Sequence, residues 1–131
     1  MDYEDIVEYW FETLEAKDWW RKNESLDAQI RRDYKELHHQ VSVNDKEEWR
    51  QYDLGRLAEI IVLDQFSRNM FRDTPGAFAC DAQALALSKA AVEAGVAGRL
   101  DQVRASFLLM PFMHSESLAD HDIGLPLFEQ Y

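Results

Sequence analysis

The amino-acid sequence predicts an all-α fold. Three observations support this prediction: apolar residues recur at helical spacing along most of the chain, strong helix formers surround them, and turn-forming residues are scarce. Only 5 Gly and 3 Pro occur in 131 residues, too few to separate the many short strands of a β fold. With 47% apolar residues, residues 1–131 are expected to fold as one domain with its own core.

Three helices are expected in the first half of the chain. The first is predicted from about Tyr3 to Ala16, with Asp2 as its N-cap. The second begins at Ser25 and continues past Leu37, because its apolar residues share one stripe. A capping-box variant that begins at Asp45 predicts a short helix around Trp49.

The second half opens with a long helix expected from about Asp53 to Arg72. Thr74-Pro75 then fits an N-cap followed by the first residue of a helix that ends before Gly95. Two more helices are expected, one from about Arg99 to Met110, before Pro111, and one from near Ser115 to the end of the sequence, with a kink or break at Pro126. About seven helices joined by short turns therefore predict one α-α helical array.

Charge and composition argue against several classes of partner. The chain has 25 acidic and 14 basic residues, a net charge of −11, which disfavours binding to nucleic acid and to anionic membrane surfaces. No apolar run approaches the roughly 20 residues of a membrane span, and the N-terminus lacks a secretory pattern.

The single Cys80 fits a reducing compartment, so a cytoplasmic location is expected. Neither a phosphate-binding glycine loop nor a dinucleotide fingerprint occurs, and no cofactor is expected.

The long helix at residues 53–72 departs from ordinary amphipathicity. At about 100° per residue its first turns carry an inward apolar stripe, and a polar band continues that stripe in the later turns. Much of the opposite side is apolar too, which predicts a central helix. The band is therefore expected to be buried and paired, or to line a cleft. Its members are Asp64, Gln65, Arg68, Asn69 and Arg72.

The spacing within this band leaves two interpretations open. Asp64, Arg68 and Arg72 follow one another at i,i+4, so one carboxylate faces two guanidinium groups. The remaining positive charge would meet an acidic group elsewhere in the fold or an anionic ligand. The first alternative is an internal network that ties helices together. The second is a ligand site.

A second candidate site lies around His114 and Glu116, in what is expected to be a turn before the last helix. His114 would serve as a general base, and Glu116 would orient it or act alone. A purely structural interpretation assigns Ser115 to the N-cap and Glu116 to the helix dipole. No Gly-x-Ser-x-Gly elbow surrounds Ser115, so a serine hydrolase is disfavoured.

Metal binding has little support in the sequence. Glu36 and His39 form one Glu-x-x-His unit, which di-iron bundles use twice. A second copy is lacking, and no metal site is expected.

Several segments resemble a bacterial domain-of-unknown-function family, number 924. The resemblance rests on Tyr9-Trp10-Phe11, on LAEIIVLDQFSRNMF at residues 57–71, and on the run from Pro111 to Glu116. It covers essentially the whole chain and implies a tetratricopeptide-like helical fold, without implying an activity. Family members usually carry Pro where this sequence has Ser67.

The resemblance also implies further helices beyond Tyr131. On that expectation the chain holds part of the polar site, and the apolar face of its last helix would need another cover, such as a second subunit in a homodimer. That face comprises Leu118, Leu125 and Phe128.

Three functional hypotheses follow. The leading one is a helical-array binding module whose polar concavity joins the band on the central helix to His114 and Glu116, for an anionic small molecule or a peptide. The second is a hydrolase-type enzyme in which His114 or Glu116 is the base and Arg68 and Arg72 stabilise negative charge. The third is a structural interaction protein with the polar network as internal glue.

Overall fold

A computed structural model describes residues 1–115 and 117–131. This part of the chain is helical and contains no β-strand, so the all-α prediction is confirmed. The tetratricopeptide-like arrangement stays a prediction. The α-helices are α1 (Tyr3–Glu8), α2 (Ala16–Trp20), α3 (Glu24–Ser42), α4 (Asp53–Ile60), α5 (Ser67–Met70), α6 (Asp81–Glu93), α7 (Gln102–His114) and α8 (Leu118–Gln130).

Other helix types fill several of the intervals. A π-helix extends α1 over Tyr9–Thr13, and a second π-helix, Ile61–Phe66, joins α4 to α5. We call the continuous run of residues 53–70 the central helix. Its wide π-helical segment contains Asp64, which matters because such segments are rare and are frequently found at functional sites. Short 3₁₀ helices lie at Glu47–Gln51, Pro75–Phe78 and Val96–Arg99.

Local sequence signals explain most helix ends. Asp2 caps α1, and its side chain and that of Asp5 form a reciprocal capping box. Asn23 caps α3 by accepting a hydrogen bond from the backbone N–H of Leu26, and the helix begins at Glu24, one residue before the predicted Ser25. Gly95 has a φ of 80°, the left-handed conformation expected of a residue that ends a helix.

Three sequence-based helix boundaries are wrong. The 3₁₀ helix at Glu47–Gln51 has no side-chain cap, so the predicted capping box does not form. The helix expected after Thr74-Pro75 is broken, because only a 3₁₀ helix follows Pro75 and α6 begins at Asp81. Pro111 lies inside α7 rather than after it, and α7 therefore continues to His114.

The central helix forms the middle of the core. Every residue from Leu57 to Ser67 is buried, and α3, α6 and α7 pack around it. The rings of Trp10 and Phe107 pack on one side of this core. The centroid of the Trp10 ring lies 5.8 Å from the ring centroids of both Phe66 and Phe107. Each such aromatic pair contributes about 0.5–1.5 kcal/mol beyond its buried area.

The α7–α8 hairpin is tightly packed. A Cβ atom at Gly124 would lie 2.6 Å from Cβ of Phe112, so α8 approaches α7 closely where glycine leaves room. This packing holds the end of α7, and with it His114, against the central helix.

Candidate functional site

The polar band of the central helix is directed into the molecule. Asp64 is 0% exposed, while Gln65 and Asn69 are each 8% exposed. Arg68 and Arg72 are partly buried, with 23% and 33% of their side-chain surfaces exposed. The band is thus neither turned to bulk water nor completely enclosed, and the surroundings of each member decide what it can do.

Asp64 is the centre of the first cluster. Its carboxylate accepts hydrogen bonds from Gln65 Nε2 at 2.8 Å, from Arg68 Nη1 at 3.3 Å and from His114 Nδ1 at 2.7 Å. The Arg68 Nη1 group also donates to the backbone oxygen of Asp64 at 2.7 Å. The structure therefore brings together four of the predicted site residues around one buried carboxylate.

Arg68 has a second acidic partner that the sequence did not predict. Asp81, in the first turn of α6, accepts from Arg68 Nη1 at 2.9 Å and from Nη2 at 3.0 Å. This two-point geometry fixes the plane of the guanidinium group. Arg68 therefore meets an acidic group from another helix.

A cavity of about 690 Å³ opens beside this cluster. Its polar end is formed by Arg68, Asp81 and His114, and the Arg68 guanidinium lies 5.4 Å from the centre of the Phe78 ring. The remaining wall is mostly apolar. The other lining residues are Ala82, Leu85 and Ser115.

Asn69 and Arg72 belong to a separate cluster. Both donate to Asp27 of α3, Asn69 Nδ2 at 2.9 Å and Arg72 Nε at 2.7 Å. The hydrogen bond to Asp27 raises the pKa of the Arg72 guanidinium, although burial opposes that shift. These residues border a different, smaller pocket of about 320 Å³. The predicted single concavity is thus divided into two.

The segment around His114 differs from the predicted turn. His114 is the last residue of α7, so it does not lie at a helix N-terminus as expected. Ser115 Oγ donates to Asp120 Oδ2 at 2.7 Å and accepts from the backbone N–H of Ser117, so it is not the predicted N-cap. Glu116, the other candidate here, lies outside the described residues.

Sequence analysis missed a third polar contact of the central helix, between His38 and Ser67. His38 Nε2 and Ser67 Oγ are 2.7 Å apart, and both residues are buried. Burial, assisted by the neighbouring His39, lowers the pKa of His38. The signal was present, because His38 lies one residue from the apolar stripe of α3, but it was obscured by the Glu-x-x-His pattern that ends at His39.

Glu59 is a further buried acidic residue that the sequence analysis did not single out. It accepts from Arg50 Nε at 3.0 Å and from Arg50 Nη2 at 3.1 Å. Burial raises the pKa of the Glu59 carboxyl, and the Arg50 guanidinium limits that rise. Because this pair lies at the opposite end of the central helix from the 690 Å³ cavity, we assign it to the structure of the fold.

Two features bear on metal and membrane binding. Within residues 1–115 and 117–131, no three His, Cys, Asp or Glu side chains converge in a way that could hold a metal ion. Among the same residues, no helix combines the length and apolarity that crossing a bilayer requires.

The fold and the polar cluster around Asp64 define an all-α protein built around one central helix. Residues 6–131 match the family model described as "Bacterial protein of unknown function (DUF924)". The chain belongs to this family.

A solved structure gives the same fold. A protein of unknown function from Agrobacterium tumefaciens is similar to this chain with a TM-score of 0.93 and 25% sequence identity. The match covers 98% of this chain and 72% of that one. No curated protein matches the chain.

Proposed function

We propose that this protein is a binding module whose ligand occupies the 690 Å³ cavity beside Asp64 and His114. One observation carries the proposal: a buried carboxylate fixes the His114 ring at the mouth of a cavity that has an apolar wall. Pre-formed clefts of about 300–1,000 Å³ with a few oriented polar groups are typical small-molecule sites. The cavity volume therefore suits a small molecule better than a folded partner.

Unused hydrogen-bonding capacity supports a ligand rather than internal glue alone. Arg68 Nε and His114 Nε2 have no hydrogen-bond partner among residues 1–115 and 117–131, although both side chains are held in place at their other atoms. Their side chains are 23% and 24% exposed, so both groups are accessible to a ligand that enters the cavity. The Asp27–Arg72 pair fits the glue hypothesis better, because its two charged groups pair with each other and link α3 to the chain just beyond α5.

Methyl NMR with a library of small fragments tests this proposal. We expect fragments to shift the methyl signals of Leu85, which lines the cavity, and to leave those of the exposed Leu118 on α8 unchanged. Ala82→Trp should abolish these shifts because the indole would fill the cavity. Ala90→Trp, at an exposed position of the same helix, is the matched control.

The proposal would be refuted by a screen in which Leu85 never shifts, or in which both tryptophan variants behave alike.

A second candidate function is a hydrolase-type enzyme with His114 as its general base. The Asp64–His114 hydrogen bond favours it, because a carboxylate that binds one ring nitrogen orients the histidine and strengthens the other nitrogen as a base. Arg68 would stabilise developing negative charge at the same cavity end. Ser115 is not placed as a nucleophile, since its hydroxyl donates to Asp120.

Hydrolysis of p-nitrophenyl acetate gives a first measure of this activity. His114→Gln should reduce the protein-dependent rate by about 10²-fold or more if the ring acts as a base. His39→Gln, at an exposed histidine of α3, controls for unspecific imidazole catalysis. Equal rates in the two variants would exclude His114 from this chemistry.

We also propose a cytoplasmic location and a homodimer that forms through α8. The single cysteine and the net charge of −11 support a cytoplasmic protein. On α8, Leu118 is 77% exposed and Leu125 is also exposed, while Phe128 is half-buried, so the homodimer stays a prediction. Light scattering of the wild-type chain and of Leu118→Lys would test it.

A further inference from the structure

We infer that the ligand of this cavity is a neutral or cationic molecule that donates a hydrogen bond to Nε2 of His114, and that it is not an anion. This inference rests on the proposed binding function and names the class of ligand. It departs from the anionic ligand that two neighbouring arginines suggest in the sequence.

The first step is the tautomer of His114. An ionised carboxylate only accepts hydrogen bonds, so the proton shared by Asp64 and His114 at 2.7 Å resides on Nδ1 of the histidine. Gln65 and Arg68 donate to the same carboxylate, so its oxygens act as acceptors in these contacts too. A neutral histidine with the proton on Nδ1 has a lone pair on Nε2. In this form of His114 the cavity end presents an acceptor.

The second step is the charge of the cavity end. One guanidinium, that of Arg68, lies between two carboxylates, those of Asp64 and Asp81. With neutral His114 this group carries one excess negative charge. Arg72, which the sequence offers as a second cation, is neutralised by Asp27 and borders the other pocket.

The Lys89 ammonium, close to the cavity wall, is already paired. It contacts Asp120 at 2.8 Å, and Asp120 in turn accepts a hydrogen bond from Ser115 Oγ, which lines the cavity. The chain as a whole carries a net charge of −11, so the long-range field also repels anions. An anion that accepted a hydrogen bond from Arg68 Nε would lie beside the carboxylates of Asp64 and Asp81, and it would bring no donor for His114 Nε2.

The third step is the shape of the ligand. Phe78, Ala82 and Leu85 make the rest of the cavity wall apolar, so an aliphatic or aromatic body is expected. An O–H or N–H group at one end of that body would donate to His114 Nε2. A neighbouring acceptor on the ligand would meet Arg68 Nε. The class is thus an amphiphilic alcohol or amine.

Three matched probes test this class: hexan-1-ol, hexylamine and hexanoate, which share one apolar body and differ in head group. Titrated at pH 8.5 and followed at the Leu85 methyls and the His114 ring nitrogens, the alcohol and the amine should bind at least tenfold more tightly than the acid. In the free protein, ¹⁵N spectra should show a protonated Nδ1 and an unprotonated Nε2. Tightest binding by hexanoate, or a protonated Nε2, would overturn the inference and leave the binding function standing.

Two variants separate the contributions of charge and acceptor. Asp81→Asn removes one carboxylate from the cavity end. It should therefore reduce the difference in affinity between hexanoate and hexan-1-ol. His114→Gln replaces the fixed acceptor with an amide, and it should weaken the alcohol and the amine more than the acid. If none of the three probes shifts Leu85 in the wild-type chain, the proposed binding function itself fails. If Asp81→Asn leaves the order and spacing of the three affinities unchanged, the charge argument is wrong.

Discussion

Arg68 and Arg72 are four residues apart and look equivalent in the sequence. Arg68 lies in the central helix, and Arg72 follows the end of that helix. In the fold each binds one aspartate through two nitrogen atoms, Asp81 for Arg68 and Asp27 for Arg72. Their surroundings differ. Arg68 also touches buried Asp64 and lines the larger cavity, whereas Arg72 joins the start of α3 to the chain beyond α5 at the protein surface.

This difference shows that partners from distant segments decide the role of each arginine. Asp81 and His114 lie 13 and 46 residues after Arg68, and they arrive there because α6 and α7 pack on the central helix. Asp27 lies 45 residues before Arg72. Identical side chains at helical spacing thus serve two purposes, one at a candidate site and one as a link between helices.

We expect the largest loss of stability from a substitution of Asp64. Asp64→Asn removes the charge that Arg68 and His114 contact and leaves polar groups of the cluster poorly paired. Because removing one partner of a buried ion pair is costly, we expect a loss of about 3 kcal/mol in the free energy of unfolding. Urea denaturation measures it, with exposed Asp122→Asn as the control. A loss no larger than that of the control would mean that this cluster does not stabilise the fold.

The corresponding change in the other cluster should be milder. Asp27→Asn weakens the contact with Arg72, but a third of that arginine is exposed and solvent screens the pair. We expect a loss of about 1–2 kcal/mol. The same urea experiment ranks the two variants. Equal or reversed losses would contradict the distinction between the buried cluster and the surface link.

Exchanging each arginine for lysine sharpens the comparison without removing charge. Lysine cannot reproduce the two-point contact, so Arg68→Lys and Arg72→Lys should each lose about 1 kcal/mol of stability. Only Arg68→Lys should weaken the binding of hexan-1-ol at Leu85, because Arg72 borders the other pocket. Weakened binding in both variants would show that the two pockets act as one site.

Much of this fold is readable in the sequence because its helices are strongly periodic. The central helix, its burial on nearly all sides and the end of α6 at Gly95 follow from apolar spacing and one residue type. Pro111 misled the assignment of α7, since packing overrides the local preference of proline to end a helix. The π-helix at Ile61–Phe66 leaves no signal in composition, because it depends on how surrounding helices pack.

Only part of the candidate site could be predicted from the sequence, for a different reason. Asp64 and Arg68 were selected because polar residues that continue an apolar stripe stand out, and His114 was selected because titratable residues are concentrated around it in the sequence. Asp81 and Asp27 were missed because an acidic residue in the first turn of a helix is common and needs no partner to explain it. Without three-dimensional contacts, the positive charge of the two arginines therefore appeared available to a ligand, whereas the fold neutralises it.

The smallest effect concerns His38, whose contact with Ser67 lies on the side of the central helix that faces α3. Burial lowers the pKa of His38, so protonation favours the unfolded chain, in which a histidine has its ordinary pKa of about 6.5. Stability should be unaffected by His38 above that value and should fall as the pH drops below it.

His38→Gln can still contact Ser67 without titrating, so its melting temperature should fall less between pH 7 and pH 5 than that of the wild type. His39→Gln removes an exposed imidazole and the smaller cause of the lowered pKa of His38, while burial remains, so this variant should keep most of the acid-side loss. Identical pH profiles for wild type and His38→Gln would show that this contact, unlike the Asp64 cluster, is not sensitive to charge.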